Sequence, residues 1–193
     1  MARDRASRPE ARPLRLFIAV DVSEHVRAVV ADAIEPWRER FPRGRWVPKH
    51  NWHVTMKFLG STWPRLIDWV TQAVTGVARS AEPFESRLEG LGVFQSPRRA
   101  RVLWGGLADP DGRFAALAAA LDEALAKEFP PEKRPFTPHL TVARFDPPVE
   151  LDPGEAAGIS SEAFPVDRLV LYRSHLQRPA PRYEPVAELP FGG

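Results

Sequence analysis

Apolar and polar positions in the first half of the chain predict strands that alternate with helices. The apolar run at 14–22 is typical of a buried strand, whereas apolar residues after Ser23 recur every three or four positions, as on one helix face. Ser23 is also a suitable N-cap for that helix. The predicted elements are a strand at 14–22, a helix at 24–40, a strand at 52–59, a helix at 64–79 and a strand at 84–94.

The second half repeats this order of elements. Its predicted elements are a strand at 101–107, a helix at 111–129 and strands at 136–145, 165–174 and 182–189. When Phe17 is aligned with Leu103, the same separation of 86 residues carries His53 onto His139. Each half reads strand, helix and then a strand that opens with His-x-Thr, so the sequence indicates a duplicated α+β unit with a pseudo-two-fold relation.

Length and composition are those of a globular protein. With 193 residues, 44% hydrophobic and 27% charged, the chain suits one domain or two small lobes that share a core. No apolar run approaches the roughly 18 residues of a membrane span, and residues 1–13 are interpreted as a flexible basic tail rather than a secretory signal. The chain has no cysteine, which excludes disulfides. We therefore expect a cytoplasmic protein, not bound to membrane, with a single domain at 14–193.

Positive charge is carried mainly by arginine. Lysine and arginine total 27 residues, of which four are lysine, and the net charge is only +2. Arginine has a planar donor fork that suits phosphate and stacking on bases. A GC-rich genome would produce the same bias through its codons, so composition alone does not identify a nucleic-acid-binding protein.

Two four-residue motifs, 53–56 (HVTM) and 139–142 (HLTV), are the strongest chemical signal in the sequence. Alternate residues of a strand share a face, so the histidine and threonine of each motif project together while the apolar residues face the packed side. Two such strands related by a pseudo-two-fold axis would bring two imidazoles and two hydroxyls around one cleft. Buried core histidines are the alternative, but apolar neighbours already fill the packed face.

Paired histidines suit phosphoryl transfer. Histidine titrates near neutrality, so one imidazole can take a proton from the attacking oxygen while the other protonates the leaving oxygen. The threonine hydroxyls can donate hydrogen bonds to phosphate oxygens, and Arg144, on the strand of the second motif, can neutralise developing charge. This arrangement requires no metal ion, and the residues alone do not decide which histidine is the acid.

Further short motifs accompany the two His-x-Thr sequences. They are 15–19 (RLFIA), 45–47 (RWV), 53–60 (HVTMKFLG), 92–94 (GVF), 101–104 (RVLW), 134–144 (RPFTPHLTVAR), 171–174 (LYRS) and 182–185 (RYEP). This ordered set spans nearly the whole chain after the tail. It resembles the two-histidine (2H) phosphoesterase superfamily, and within it the RNA 2′,3′-cyclic phosphodiesterase branch, also called the 2′-5′ RNA ligase family. Trp52 and His50 depart from the family pattern without touching the motif chemistry.

The resemblance implies both a fold and a reaction. The implied fold is a bilobal α+β unit in which two antiparallel sheets line a central cleft and helices lie outside. The implied reaction is hydrolysis of terminal 2′,3′-cyclic phosphates on RNA to 2′-phosphomonoesters, with no metal and no cofactor, by a monomer. The implied roles are proton donor to the departing 3′ oxygen for His53, proton acceptor that activates water for His139, and phosphate binding for Thr55, Thr141 and Arg144.

Three alternatives stay open for the site. Zinc could use the spacing of His50 and His53, although residues i and i+3 of a strand face opposite ways and structural zinc sites usually draw on cysteine. The same acid–base pair could join a cyclic phosphate end to a 5′-hydroxyl, or the cleft could be a non-catalytic nucleotide-binding module. Phe17, Trp46 and Tyr172 are candidates for stacking on a base, with ordinary core or rim positions as the alternative.

Overall fold

The protein, described by a computed structural model over residues 12–192, contains ten strands and three α-helices in that range. The strands are β1 (Leu14–Asp21), β2 (Arg45–Trp46), β3 (His53–Thr62), β4 (Phe84–Ser86), β5 (Leu88–Phe94), β6 (Ala100–Leu107), β7 (His139–Val149), β8 (Phe164–Val166), β9 (Arg168–His175) and β10 (Arg182–Pro190). The α-helices are α1 (Glu24–Arg40), α2 (Ile67–Ser80) and α3 (Arg113–Leu125). Most of the predicted basic tail, residues 1–11, lies outside the described part of the chain.

Two antiparallel sheets, one large and one small, confirm the predicted α+β class. The large sheet has the order β10-β9-β1-β3-β7-β6-β5, with β2 added on β7, and the small sheet pairs β4 with β8. The strands β10-β9-β1-β3, here called the first half-sheet, meet the second half-sheet, β7-β6-β5 with β2, only where Val54 pairs with Leu140. The large sheet is therefore two half-sheets joined at one residue pair.

The hydrophobic core lies between the helices and the back face of the large sheet. Helix α3 packs against β3 and α2, and α2 also packs against β9 and β10. Buried residues from all three helices and both half-sheets belong to one cluster. Val54 and Leu140, which separate the histidine from the threonine in each motif, have no exposed surface. The front face of the sheet is thus the one that carries the polar residues of the motifs.

Local chemistry explains where the element bounds agree with the sequence and where they differ. Helix α1 begins at Glu24, as predicted, because the Ser23 hydroxyl accepts a hydrogen bond from the Val26 amide at 3.2 Å. Helix α3 begins two residues later than predicted because Asp111 and Gly112 have φ of 57° and 67°, outside the right-handed helical region. The predicted strand at 84–94 is divided between β4 in the small sheet and β5 in the large one.

The predicted alignment of Phe17 with Leu103 is wrong by one residue. In the first half-sheet, Phe17 pairs with Phe58, and in the second, Val102 pairs with Arg144, which lies 86 residues after Phe58. Phe17 therefore corresponds to Val102, and the offset between β1 and β6 is 85 residues rather than 86. Leu103 lies in the core, whereas Phe17 faces the front of the sheet beside His53.

Within residues 12–192, no helix is both long and apolar enough to cross a membrane.

A buried ion pair ties the strand of the first motif to the segment that leads into the second. Lys57, on β3, is 2% exposed, and its ammonium group donates to the Asp122 carboxylate and to the Pro130 carbonyl, the latter at 3.0 Å. The other oxygen of Asp122 accepts the Glu132 amide at 3.0 Å. One lysine thus connects β3, α3 and the link that precedes β7.

Removing this lysine should destabilise the protein strongly. We expect Lys57→Met to lower the free energy of unfolding by about 3 kcal/mol, because the carboxylate of Asp122 would lose its buried counter-charge. Urea denaturation of the variant and the parent protein measures the difference. Lys49→Met is the matched control, since Lys49 pairs with Glu24 on the exposed surface and should matter much less. Equal losses in the two variants would contradict a special role for Lys57.

Candidate active site

The two His-x-Thr motifs meet where the half-sheets join. Because Val54 pairs with Leu140 in antiparallel register, the neighbours on the two strands lie crosswise. His53 lies across from Thr141, and His139 lies across from Thr55. The register therefore brings together, on the front face, the two imidazoles and two hydroxyls that the sequence indicated.

Both imidazoles are oriented by the same local hydrogen bond. Nδ1 of His53 lies 2.8 Å from the carbonyl oxygen of Asn51, and Nδ1 of His139 lies 2.7 Å from that of Thr137, in each case two residues earlier. A carbonyl oxygen can only accept, so Nδ1 carries the proton in both rings. In the neutral rings this leaves the lone pair on Nε2. Nε2 of His53 lies 3.0 Å from the Thr55 hydroxyl, which donates to it.

Aromatic side chains enclose both imidazoles. Phe17 stacks on His53 at a centroid distance of 4.8 Å, and Tyr183 meets the same imidazole edge-on at 5.3 Å. Phe94 and Trp104 flank His139 at 5.0 Å and 6.2 Å. These rings replace water around the two histidines, and a charged imidazole is poorly stabilised by apolar neighbours.

Burial lowers the pKa of both histidines. Desolvation takes the pKa of His53 down to about 4, while the hydrogen bond to Asn51 and the nearby Asp21 carboxylate oppose the shift. Desolvation also lowers the pKa of His139, against the opposing hydrogen bond to Thr137. Positive charge on His139 would lower the pKa of His53 further, since the two rings interact electrostatically. Near neutral pH the ligand-free site therefore holds two uncharged imidazoles.

A cavity of about 400 Å³ opens over the junction of the half-sheets. Among its lining residues are His53, Thr55, Thr141 and Arg144. His139 is not one of the lining residues. The register places His139, on β7, opposite Thr55 of β3. Its ring packs against Phe94 and Trp104.

A β-bulge brings Arg144 to the front face. Thr141 pairs with Trp104 while Ala143 pairs with Leu103, so Val142 is an extra residue in β7. Without the bulge, Arg144, five residues after His139, would point to the back, because an odd spacing changes faces on a regular strand. Because the bulge adds one residue to β7, the side chain of Arg144 faces the front of the sheet, where it lines the cavity with Thr141.

The first half-sheet has the equivalent bulge but a different residue after it. Ile18 pairs with Lys57 and Ala19 with Thr55, which leaves Met56 as the extra residue. Phe58 then occupies the position that corresponds to Arg144. It lines the same cavity, and 60% of its surface is exposed. Sequence reasoning did not identify Phe58, although its separation of 86 residues from Arg144 was the available signal.

Of the three aromatic residues proposed for base stacking, Phe17 and Tyr172 lie together beside His53, and Trp46 lies elsewhere. Phe17 is 3% exposed and supports the His53 imidazole, so it offers little free surface. Tyr172 stacks on Phe17, and its hydroxyl donates to the Asp21 carboxylate at 3.0 Å. Trp46 packs edge-on against buried Phe145, away from the cavity lining.

The histidine considered with His53 as a zinc pair lies in a different environment. His50 is exposed in the short turn Lys49–Asn51 before β3, whereas both ring nitrogens of His53 already have hydrogen-bond partners. In the part of the chain that the structure describes, no three histidine or carboxylate side chains are grouped as metal ligands would be.

A larger cavity, of about 640 Å³, lies between α2 and α3. Its lining is mainly alanine and other apolar side chains, and its charged residues, Glu82 and Arg113, pair with each other across 3.7 Å. It holds no pair of groups that could exchange protons with a substrate. The smaller cavity over the motifs is therefore the candidate active site.

Related proteins indicate the family that the sequence resembles. The model of the 2′-5′ RNA ligase superfamily matches residues 25–178. The RNA 2′,3′-cyclic phosphodiesterase of Methanothermobacter thermautotrophicus is 33% identical over 176 residues, which are 88% of this chain and 95% of that protein. The protein of the same name from Geobacillus stearothermophilus is 28% identical over 180 residues, but this chain spans only 57% of its length.

The fold has relatives among solved structures as well. A crystal structure of Escherichia coli LigT complexed with 3′-AMP has a TM-score of 0.72 and 25% identity, and the match covers 93% of this chain and 98% of that one. With the family model matching most of its length, the chain belongs to the 2′-5′ RNA ligase superfamily of 2H phosphoesterases. The family and fold that the sequence resembled are confirmed.

The depressed pKa of His53 should make stability depend on pH. Histidine has an ordinary pKa of about 6.5, so the unfolded chain takes up this proton first as the pH falls. We expect the contribution of His53 to the free energy of unfolding to be retained above pH 6.5 and to decline by up to about 3 kcal/mol towards pH 4. Urea denaturation of the parent protein and His53→Gln at several pH values measures it. Parallel stability curves for the two proteins would contradict the prediction.

Proposed function

We propose that this protein hydrolyses terminal 2′,3′-cyclic phosphates of RNA to 2′-phosphomonoesters. The observation that carries the proposal is the crosswise placement of His53 and His139, each with Nδ1 bound to a carbonyl, so that the lone pair of the neutral ring is on Nε2. The activity is the one for which two relatives are named, and a third relative has been solved with a 3′-nucleotide.

His139 is the proposed proton acceptor. Its Nδ1 proton is held by the Thr137 carbonyl, so the neutral ring presents a lone pair on Nε2. That nitrogen takes a proton from water as the water oxygen attacks phosphorus. Desolvation lowers the pKa of His139, so the ring is neutral near neutral pH and can accept this proton.

His53 is the proposed proton donor. Its pKa, lowered by desolvation to about 4, makes the imidazolium a strong acid once a proton is present on Nε2. The anionic phosphate supplies the negative charge that favours this protonation and offsets the desolvation of the ring. As the bond from phosphorus to the 3′ oxygen breaks, Nε2 gives its proton to that oxygen, and the phosphate stays on the 2′ oxygen.

The remaining side chains of the cleft bind and orient the substrate. The hydroxyls of Thr55 and Thr141 and the guanidinium of Arg144 face the front of the sheet and can donate to the non-bridging phosphate oxygens. Phe58 and Tyr183 line the same cavity on the first half-sheet and offer apolar surface to the terminal base. We expect the protein to act as a monomer in the cytoplasm and to need neither metal nor cofactor.

Product analysis tests the proposed reaction. After treatment with a chelator, the protein should convert an RNA ending in a 2′,3′-cyclic phosphate to a 2′-phosphate end, with a bell-shaped dependence of rate on pH. His53→Ala and His139→Ala should each lower kcat at least about 100-fold while leaving substrate binding largely intact. Activity that disappears with chelator and returns with zinc would overturn the metal-free mechanism.

The same assay separates the alternatives. Including a second RNA with a 5′-hydroxyl end reveals joining as a longer product, and dominance of that product would identify a ligase. If the parent protein binds the cyclic phosphate end without turnover, and the two alanine variants bind equally well, the cleft is a nucleotide-binding module.

Phe58 should contribute to substrate binding rather than to chemistry. We expect Phe58→Ala to raise KM for the cyclic phosphate RNA about tenfold, because loss of one base–aromatic stack costs about 1–3 kcal/mol, and to leave kcat nearly unchanged. Trp63→Ala is the control, since Trp63 is an exposed aromatic residue just after β3 that is not part of the cavity lining. A change in kcat with constant KM would argue against stacking.

A further inference from the structure

Two arginines lie directly opposite each other at the outer end of the candidate active site. After β3 leaves β7 at Leu140, the strand β2 pairs with the same edge of β7, and Arg45 becomes the partner of Arg144. Paired residues of antiparallel strands share a face, and like charges placed opposite each other are unfavourable. Arg45 therefore lies on the front face. Its strand, β2, runs one strand spacing, about 4.8 Å, from β7, which carries Arg144.

The backbone holds Arg45 in this position. A Cβ atom at Gly44 would lie 2.8 Å from the Phe145 ring, so only glycine allows β2 to approach so closely. On the other side, the Trp46 indole donates to the Phe41 carbonyl at 3.0 Å, and the Val47 amide donates to the Val142 carbonyl at 2.8 Å. Residues on both sides of Arg45 are fixed, while its own side chain is exposed.

Neither arginine of the pair has an acidic partner within residues 12–192. By contrast, the exposed Arg101 on the same half-sheet pairs with Asp146. Two arginines that are cross-strand partners on one face and lack a carboxylate partner are suited to bind an anion, because arginine forks fit phosphate oxygens.

We propose that Arg45 binds the phosphodiester one step upstream of the cyclic phosphate, an inference that rests on the proposed function. Along β7, His139 and Thr141 come first, at the cyclic phosphate, followed by Arg144 in the cavity lining, and Arg45 lies opposite Arg144 on β2, outside that lining. An RNA chain that leaves the cleft along this path places its next phosphate near Arg45. Arg45 is thus a specificity residue that favours oligonucleotide ends over free cyclic mononucleotides.

Two substrates that differ by one phosphodiester test this assignment. The first is a nucleoside 2′,3′-cyclic phosphate, and the second is a dinucleotide with the same cyclic terminal nucleotide. We expect Arg45→Gln to raise KM for the dinucleotide about tenfold, the size expected for one charge-assisted contact, without changing kcat. For the mononucleotide both constants should stay unchanged. Arg45→Lys should restore part of the lost affinity, because it restores the charge but not the fork.

The salt dependence provides a second measurement. Binding of the dinucleotide by the parent protein should weaken with salt more steeply than binding of the mononucleotide, and Arg45→Gln should remove most of that difference. Arg43→Gln is the matched control, since it removes an exposed positive charge two residues away, outside the paired position.

The outcomes distinguish this inference from the proposed function. If the parent protein hydrolyses neither substrate, the proposed function fails. If it hydrolyses both and Arg45→Gln weakens them equally, Arg45 serves the cyclic phosphate itself and the upstream assignment is overturned. If Arg45→Gln leaves both substrates unchanged, or Arg43→Gln has the same effect on the dinucleotide, Arg45 has no specific role.

Discussion

The antiparallel pair of Val54 with Leu140 is the contact on which the candidate site depends. It is the single pairing between β3 and β7, and it lies where the pseudo-two-fold axis passes between the half-sheets. A slip by one residue would turn the histidines and threonines into the core and expose the apolar residues between them. Complete burial of Val54 and Leu140 opposes that slip, so the core fixes the register of the two His-x-Thr motifs.

The separation of the half-sheets beyond that pair creates the cleft, and aromatic packing makes it dry. Phe17 and Tyr183 on one side, and Phe94 and Trp104 on the other, replace water around the imidazoles. The resulting low pKa of His53 keeps its imidazole uncharged near neutral pH. An anion bound beside that imidazole would stabilise its protonated form.

Local patterns predicted the parts of this structure that depend on local geometry. A spacing of two within His-x-Thr is enough to place both side chains on one face, and the helix cap at Ser23 is a local hydrogen bond. The bulges at Met56 and Val142 depend on the partner strands, and no local pattern marks them. The sequence therefore predicted Arg144 near the site without explaining how an odd spacing reaches the front face. Neither Phe58 as a site residue nor the strand β2 was predicted, because both depend on pairing with β7 or β1.

The two halves of the duplicated frame differ in the residues that flank the histidines. His53 and His139 occupy equivalent backbone positions. Nδ1 of each ring donates to a backbone carbonyl, and each histidine lies opposite the threonine of the other motif. The bulges then place Phe58 in one half and Arg144 in the other. An apolar flank suits a nucleobase and a basic flank suits a phosphate group, so the proposed substrate has one favourable orientation. Two different residues at equivalent positions thus give the two histidines different surroundings.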